Sequence, residues 1–267
     1  MKTRIILYEK IKTVVSFFSK HLKFDKFKNK FGRKLALSLE DILAVSLFKQ
    51  KNSIATKKAT HEIIKPKCSY KTMVVNMNRF SYLAAIIFVL LLKINRAYSH
   101  PIKHIDSTDI PVCLFKNANN HKTMKGLADF GKNSKGMFYG LKMHLITDFR
   151  RKILRVKFSP GNVDDREMVI PLSKDLIGIF IADAGYISQK LAKEFYEEHK
   201  RYFIAKPRAN MKKLMTEFEE FLYGTRMLIE LNFRSLKLFY GLVTSLPRSV
   251  DGYLANYIYS LLAYQII

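Results

Sequence analysis

Three carboxylates stand where a negative charge is hard to keep: Asp106 in KHIDST, Asp183 in IFIADAGY and Glu230 in RMLIELNFRSLK. Glu230 is the only acid in that last stretch of apolar, polar and basic residues. Hard oxygen ligands of this kind suit magnesium or manganese. Two such ions, about 3.5 to 4 Å apart, activate a water or hydroxyl and stabilise the leaving oxygen in phosphodiester cleavage. Each aspartate taken singly has an ordinary reading as a strand terminator or turn cap. For Glu230 the ordinary reading is a surface pair with Arg226, worth a few tenths of a kcal/mol.

The elements around these acids decide between the readings. Asp183 ends an apolar run that reads as a buried strand, and ligands bind at the carboxyl ends of such strands in α/β sheets. Asp106 lies in the first strand of a predicted meander; if that strand pairs beside the one ending at Asp183, the two carboxylates share a cation. Glu230 falls on a predicted helix. At roughly 100° per residue, Tyr223, Arg226, Glu230 and Lys237 fall within an arc of about 60°. Beside them Ile229, Phe233, Leu236 and Tyr240 form an apolar stripe, which packs on the sheet and holds Glu230 at the core's edge.

After Pro101 the texture is one of short β-branched runs separated by Gly, Asn and Asp. KHIDSTDIPVCLF, FYGLKMHLITDF and ILRVKFSPG read as three antiparallel strands. DDREMVIPLSKD (helix), IGIFIADAGY (strand), SQKLAKEFYEEHK (helix) and RYFIAKPR (strand) follow, then helices from Leu214 onward. This is the element order of the ribonuclease H-like fold. Residues 1–98 read instead as helices, with Ser38 as N-cap of LSLEDILAVSLFK and Asp41 completing a capping-box arrangement. The expectation is an α/β protein of two domains: a helical, helix-turn-helix-like DNA-binding domain over 1–98 and a ribonuclease H-like catalytic domain over 99–267. In the first, Lys57, Lys58, Lys71, Asn76, Asn78 and Arg79 are candidate DNA contacts or, equally, a solvated charged face.

Composition points to the partner. With 47 Lys and Arg against 22 Asp and Glu, the formal charge is +25. That is far beyond what solubility needs, and it attracts polyanions, nucleic acid before acidic membrane. Cys68 and Cys113 are the only cysteines, and they are too far apart to suggest a disulfide framework or a zinc site. The first thirty residues lack a signal-peptide pattern. YLAAIIFVLLLKI is short of the ~20 residues that span a bilayer, so it reads as a core helix, and no membrane partner is expected.

The spacing Tyr223-x2-Arg226-x3-Glu230-x6-Lys237 resembles the Tyr, Arg, Glu, Lys signature of DDE transposases of bacterial insertion sequences. IDS at Asp106, GLKMHL from Gly140, SPGNVDD from Ser159, ADAGY from Ala182 and KPRANMK from Lys206 resemble successive blocks of the insertion sequence 982 family, as do GRKLALSLEDILAVSL and the closing LLAYQI. The resemblance implies Asp106, Asp183 and Glu230 as catalytic, metal-binding residues with two Mg2+ or Mn2+ ions. It implies hydrolysis at element ends followed by attack of the 3′-hydroxyl on target DNA, with Tyr223, Arg226 and Lys237 contacting DNA. It also implies double-stranded DNA, both element ends and target, as partner, a homodimer or larger multimer on DNA, and a prokaryotic cytoplasmic, nucleoid-associated setting. TRMLIE keeps only Arg226 where the family often has two basic residues, and ELNF replaces a Thr-Val-Phe-like run. The alternatives are a catalytically inactive DNA-binding remnant, and a ribonuclease H-like nuclease without strand transfer.

Other residues have two readings. His144 in KMHL is a structural histidine or a contact to DNA or metal shell. Lys142 is a candidate DNA-binding residue through a phosphate. Asp109, three residues after Asp106, faces the other side of its strand. Asp164 and Asp165 read as caps for the following helix, with Asn162 shaping the turn.

Overall fold

The computed structural model of the chain describes residues 2–27, 34–199, 201–207 and 214–266. In chain order the elements begin with helices α1 (Lys2–His21), α2 (Leu39–Lys51), α3 (Lys57–Ile64), α4 (Tyr70–Arg79) and α5 (Ser81–Ala97). Strands β1 (Ile102–Pro111), β2 (Asp129–Asn133), β3 (Gly136–Asp148) and β4 (Ile153–Pro160) follow. Then come α6 (Val169–Ser173), β5 (Ile179–Ala182), α7 (Gln189–His199), β6 (Tyr202–Ala205), α8 (Glu217–Gly224), α9 (Met227–Phe239) and α10 (Val250–Ile266). Two compact units result: Leu92–Arg234, and Met1–Leu91 together with Ser235–Ile267. The chain's last helix therefore belongs with the N-terminal helices rather than with the sheet.

The helical unit is built around α2, which is apolar on most sides and buried from Ile42 to Gln50, as a helix at the centre of a bundle must be. Ser38 caps it in extended conformation, accepting the Asp41 N–H at 3.0 Å. Thr56 and Ser69 cap α3 and α4 in the same way. The long apolar stretch from Cys68 breaks at Phe80 into α4 and α5. Among the described residues no single helix is long and apolar enough to cross a membrane. α10 docks on α2 through polar contacts as well as apolar ones: the Gln50 amide donates to Asn256 Oδ1 at 2.9 Å and Ser260 Oγ at 2.8 Å.

In the other unit the main sheet has the order β4-β3-β1-β5-β6, with β3 antiparallel to β1 and β4 and β5 parallel to β1 and β6. Along the chain these five strands and the helices between them follow the order of elements read from the sequence. β2, which the sequence reading did not anticipate, pairs with the first residues of β3, ahead of the stretch that β4 occupies. Gly140 serves the close passage of β1 and β3, since a Cβ there would stand 2.2 Å from the Ile110 carbonyl oxygen. One sheet face is covered by α6 and α7 around Ile105, Phe180, Ala182 and Phe195. The opposite face carries His104, and there His104 Nε2 meets Thr225 Oγ1, between α8 and α9, at 2.8 Å.

Candidate active site

The parallel ladder of β1 and β5 ends at His104 opposite Ile181. Two residues further along each strand come Asp106 and Asp183, so the register sets the two carboxylates level at the carboxyl end of β5. Alternation puts Asp106 on the His104 face, away from the Ile105 core. Its side chain is 16% exposed. Oδ1 accepts the Ser107 N–H at 2.8 Å and Oδ2 accepts from Arg226 Nη1 at 3.0 Å. Burial pushes the Asp106 carboxyl up to about 7; the Ser107 N–H and Arg226 pull it down, and the negative charges of Asp183 and Asp165 raise it further. Asp183 Oδ1 accepts the Ala184 N–H at 2.7 Å and the Tyr223 hydroxyl at 3.2 Å.

Glu230 joins this cluster through Arg226. The guanidinium that bonds Asp106 also bonds the Glu230 carboxylate, whose side chain is 55% exposed. Arg226 lies 5.9 Å from the Tyr223 ring centroid, and the Lys206 ammonium lies 5.6 Å from the same centroid. Three acids, a tyrosine and an arginine therefore form one connected group.

The helix carrying the signature differs from its sequence reading in one respect. Tyr223 is on α8 and Glu230 on α9, and the chain between them turns tightly, with Arg226 N–H bonded to the Tyr223 carbonyl at 2.9 Å and Leu228 N–H to the Thr225 carbonyl at 3.0 Å. The break lets Tyr223 reach Asp183 while Arg226 reaches Asp106. Thr225 at the break is held by His104, whose pKa is driven down to about 4 by burial, so that the neutral ring bonds the threonine. Of the predicted stripe Ile229, Phe233 and Leu236 are buried, whereas Tyr240 lies just beyond α9, half-buried, its hydroxyl accepting from Lys51 Nζ at 2.9 Å. Asn232, in the ELNF run, is fully buried and exchanges hydrogen bonds with Arg151: Arg151 Nε donates to its Oδ1 at 2.8 Å and its amide donates to the Arg151 carbonyl at 3.2 Å. That pair ties α9 to the β3–β4 turn, where Arg151 has φ 64°. Sequence reasoning missed His104 and Asn232 because a buried polar side chain is identified by its partner, and both partners are distant in sequence.

The other candidates are placed differently. The Lys142 ammonium donates to the Val163 carbonyl at 2.8 Å and to Asp165 Oδ1 at 3.1 Å, so it is committed inside the fold. His144 is buried, bonded through Nε2 to Ser159 Oγ at 2.8 Å, and burial holds its pKa down at about 4. Asp164 caps the following turn, as expected, accepting the Arg166 N–H, whereas Asp165 turns to Lys142. Asn162 bonds Asp129 at 2.9 Å. Lys237 lies two turns beyond Glu230 on α9, in the residues grouped with the helical unit. In the KPRANMK block, residues 208–212 lie outside the described residues, as do Gly32 and Arg33 of the N-terminal block.

The donor chemistry fits a hard divalent cation, since Asp106, Asp183 and Glu230 offer carboxylate oxygens alone. Their arrangement adds a condition. Among the described residues no three His, Cys, Asp or Glu side chains converge to hold one ion. Arg226 fills the place of a cation between Asp106 and Glu230.

A family model described as Transposase DDE domain matches residues 96–249. No curated protein matches the chain. Among solved structures, the Mos1 mariner paired end complex with Mn is similar at 12% identity and a TM-score of 0.27, over 92% of this chain and 83% of that one. A pre-cleavage Mos1 transpososome is similar at 12% identity and a TM-score of 0.22, over 97% and 95%. At such scores the likeness carries no argument.

Proposed function

The chain belongs to the Transposase DDE domain family, and from that premise we propose that it cuts DNA at the ends of an insertion sequence and joins those ends to target DNA. The observation that carries this reading is the connected group of Asp106, Asp183, Glu230, Arg226 and Tyr223, drawn from β1, β5, α8 and α9. The Tyr, Arg, Glu, Lys spacing supports a DDE transposase of a bacterial insertion sequence, and the blocks at Asp106, Gly140, Ser159, Ala182 and Lys206 support the insertion sequence 982 family. In this reading Asp106, Asp183 and Glu230 would hold two Mg2+ or Mn2+ ions, and Arg226, which now pairs with Asp106 and Glu230, would have to give up those contacts. Bound there, the ions supply activation of the attacking oxygen and stabilisation of the leaving one.

The protein's own residues bind and orient. Arg226, freed, is a bidentate donor suited to a phosphate. Tyr223 presents a ring and a hydroxyl beside Asp183. Lys237 continues the DNA track along α9, and Lys142 would join it only by exchanging Asp165 for a phosphate. Residues 1–98 recognise element ends, with Lys71 and Arg79 exposed on α4, and the complex acts as a multimer on double-stranded DNA. A nuclease without joining and an inactive remnant are the competing outcomes.

The test is Glu230→Gln, which keeps shape and removes charge. Affinity for an end-containing duplex in EDTA should hold, while cleavage and joining in magnesium or manganese fall more than about 100-fold, beyond what loss of a supporting contact costs. Cutting and joining at the parent rate would reduce Glu230 to a surface partner of Arg226. Cutting without joining in the parent would favour the nuclease.

A further inference from the structure

A second charged site lies entirely within the helical unit, in a cavity of 570 Å³ between α3, α4, the loop before α10 and the start of α10. Lys49 and Lys57 line it, with the exposed Lys58 and Arg248 at its mouth. Lys49 is 8% exposed and its ammonium donates to Gln50 Oε1 at 3.0 Å; Gln50 is itself fixed by Asn256 and Ser260. The Lys57 ammonium donates to Asn78 Oδ1 at 2.6 Å, which leaves the Asn78 amide as a donor. No carboxylate lines the cavity among the described residues. Neither the buried Lys49 nor the half-buried Lys57 is stabilised by an acid; loss of solvent pushes both down to about 8, and Lys57 adds repulsion at Lys49.

Two ammoniums in one cavity, one buried and one half-buried, that repel each other and face only neutral oxygens are costly to keep unless an anion pairs with them. Apolar side chains in the same places would fold at less cost. The anion that suits the cavity has several acceptor oxygens and more than a bare ion's bulk. A volume of 570 Å³ falls in the range of about 300 to 1,000 Å³ typical of sites for whole small ligands. The remaining wall offers Tyr70, Leu246 and Pro247 to a ring. We propose that this cavity binds a nucleotide unit, its phosphate on Lys49, Lys57 and the Asn78 amide, and its base or sugar against Tyr70 and Pro247. The proposal deepens the DNA reading for the helical unit and uses none of the acids of the sheet unit. The nucleotide is either part of a DNA strand or free.

The experiment is amine acylation of the full chain, read at Lys57, with inorganic phosphate, dTMP or a short duplex as protecting ligand. Protection by dTMP is expected, and Lys49→Met should weaken it by about tenfold, the scale of one charge-assisted hydrogen bond. The melting temperature should stay or rise, because the substitution removes a buried charge. Protection by the duplex assigns the site to DNA; protection by the free probes alone assigns it to a free nucleotide. Lack of protection by all three, or undiminished protection in Lys49→Met, overturns the site. Should Lys49→Met fail to fold, protection in the unmodified chain decides. Because Glu230→Gln leaves this cavity untouched, the nucleotide site and the cleavage reading stand or fall separately.

Discussion

The two charged sites solve opposite problems. In the sheet unit two acids stand level at the strand ends, a third joins them from α9, and the fold supplies its own cation, Arg226, to Asp106 and Glu230. In the helical unit the buried Lys49 and the half-buried Lys57 have only amide oxygens as hydrogen-bond acceptors. The first site is neutralised internally by Arg226, so the metal ion proposed there would have to compete with a side chain. The second has nothing to displace and is stabilised directly by an incoming anion. The two proposed sites thus differ as a competed cation site differs from an uncompensated anion site, and perturbations that separate them follow from that difference.

The largest expected effect is that of salt. If the +25 charge places six to ten phosphates in contact, duplex affinity falls by about 10³ to 10⁵ between 50 and 200 mM salt, at a slope of about 0.9 per phosphate. Gel-shift titrations read this slope, and a flat response would remove the nucleic-acid reading. Replacing Lys58, exposed at the cavity mouth, should lower the slope by about 1.

Next in size is Arg226→Gln. It deletes the resident cation, so Mn2+ binding measured by EPR in the absence of DNA should tighten by about 3- to 10-fold, the scale of a part-exposed charge pair near 1 kcal/mol. Cleavage should fall at the same time, because the proposed phosphate donor is lost. Weaker Mn2+ binding would mean that Arg226 supports the acids rather than competing for them.

The smallest effect concerns pH. Lys49 and Lys57 titrate near 8 folded against an ordinary 10.5, so between those values the unfolded chain binds more protons and stability rises with pH. Below pH 8 both states are charged and the full penalty applies. Melting measured from pH 7 to 9.5, below the range of tyrosine ionisation, should gain a few degrees, at about 2 to 4 °C per kcal/mol. The gain should vanish in the Lys49→Met, Lys57→Met double variant. Persistence of the gain there would place its origin elsewhere.

Much of this molecule was legible in the sequence because its signals are local. The caps Ser38 and Asp164 act within a few residues, and β1, β3 and β4 follow from their own short β-branched runs. The buried stripe Ile229, Phe233 and Leu236 is a property of one helix. β2 was missed because DFGKN has no hydrophobic alternation and exists as a strand only through β3. The break at Thr225 was missed because the apolar pattern runs through it, and His104 holds it from 121 residues away.

The candidate acids were found for a related reason: a carboxylate in a basic, apolar context is conspicuous wherever it folds. What the sequence by itself determined is therefore the inventory: a basic protein, the strand and helix order, and three acids with a spaced Tyr, Arg, Glu and Lys. Only the tertiary structure decided that Arg226 bridges Asp106 to Glu230, that Lys142 is spent on Asp165, and that α10 encloses a cavity in which Lys49 and Lys57 lack an acid. The physical reason is range. Capping and periodicity are settled by bonds spanning a few residues, whereas the charge state and availability of a side chain depend on solvent exclusion and on partners that the fold brings from a hundred residues away.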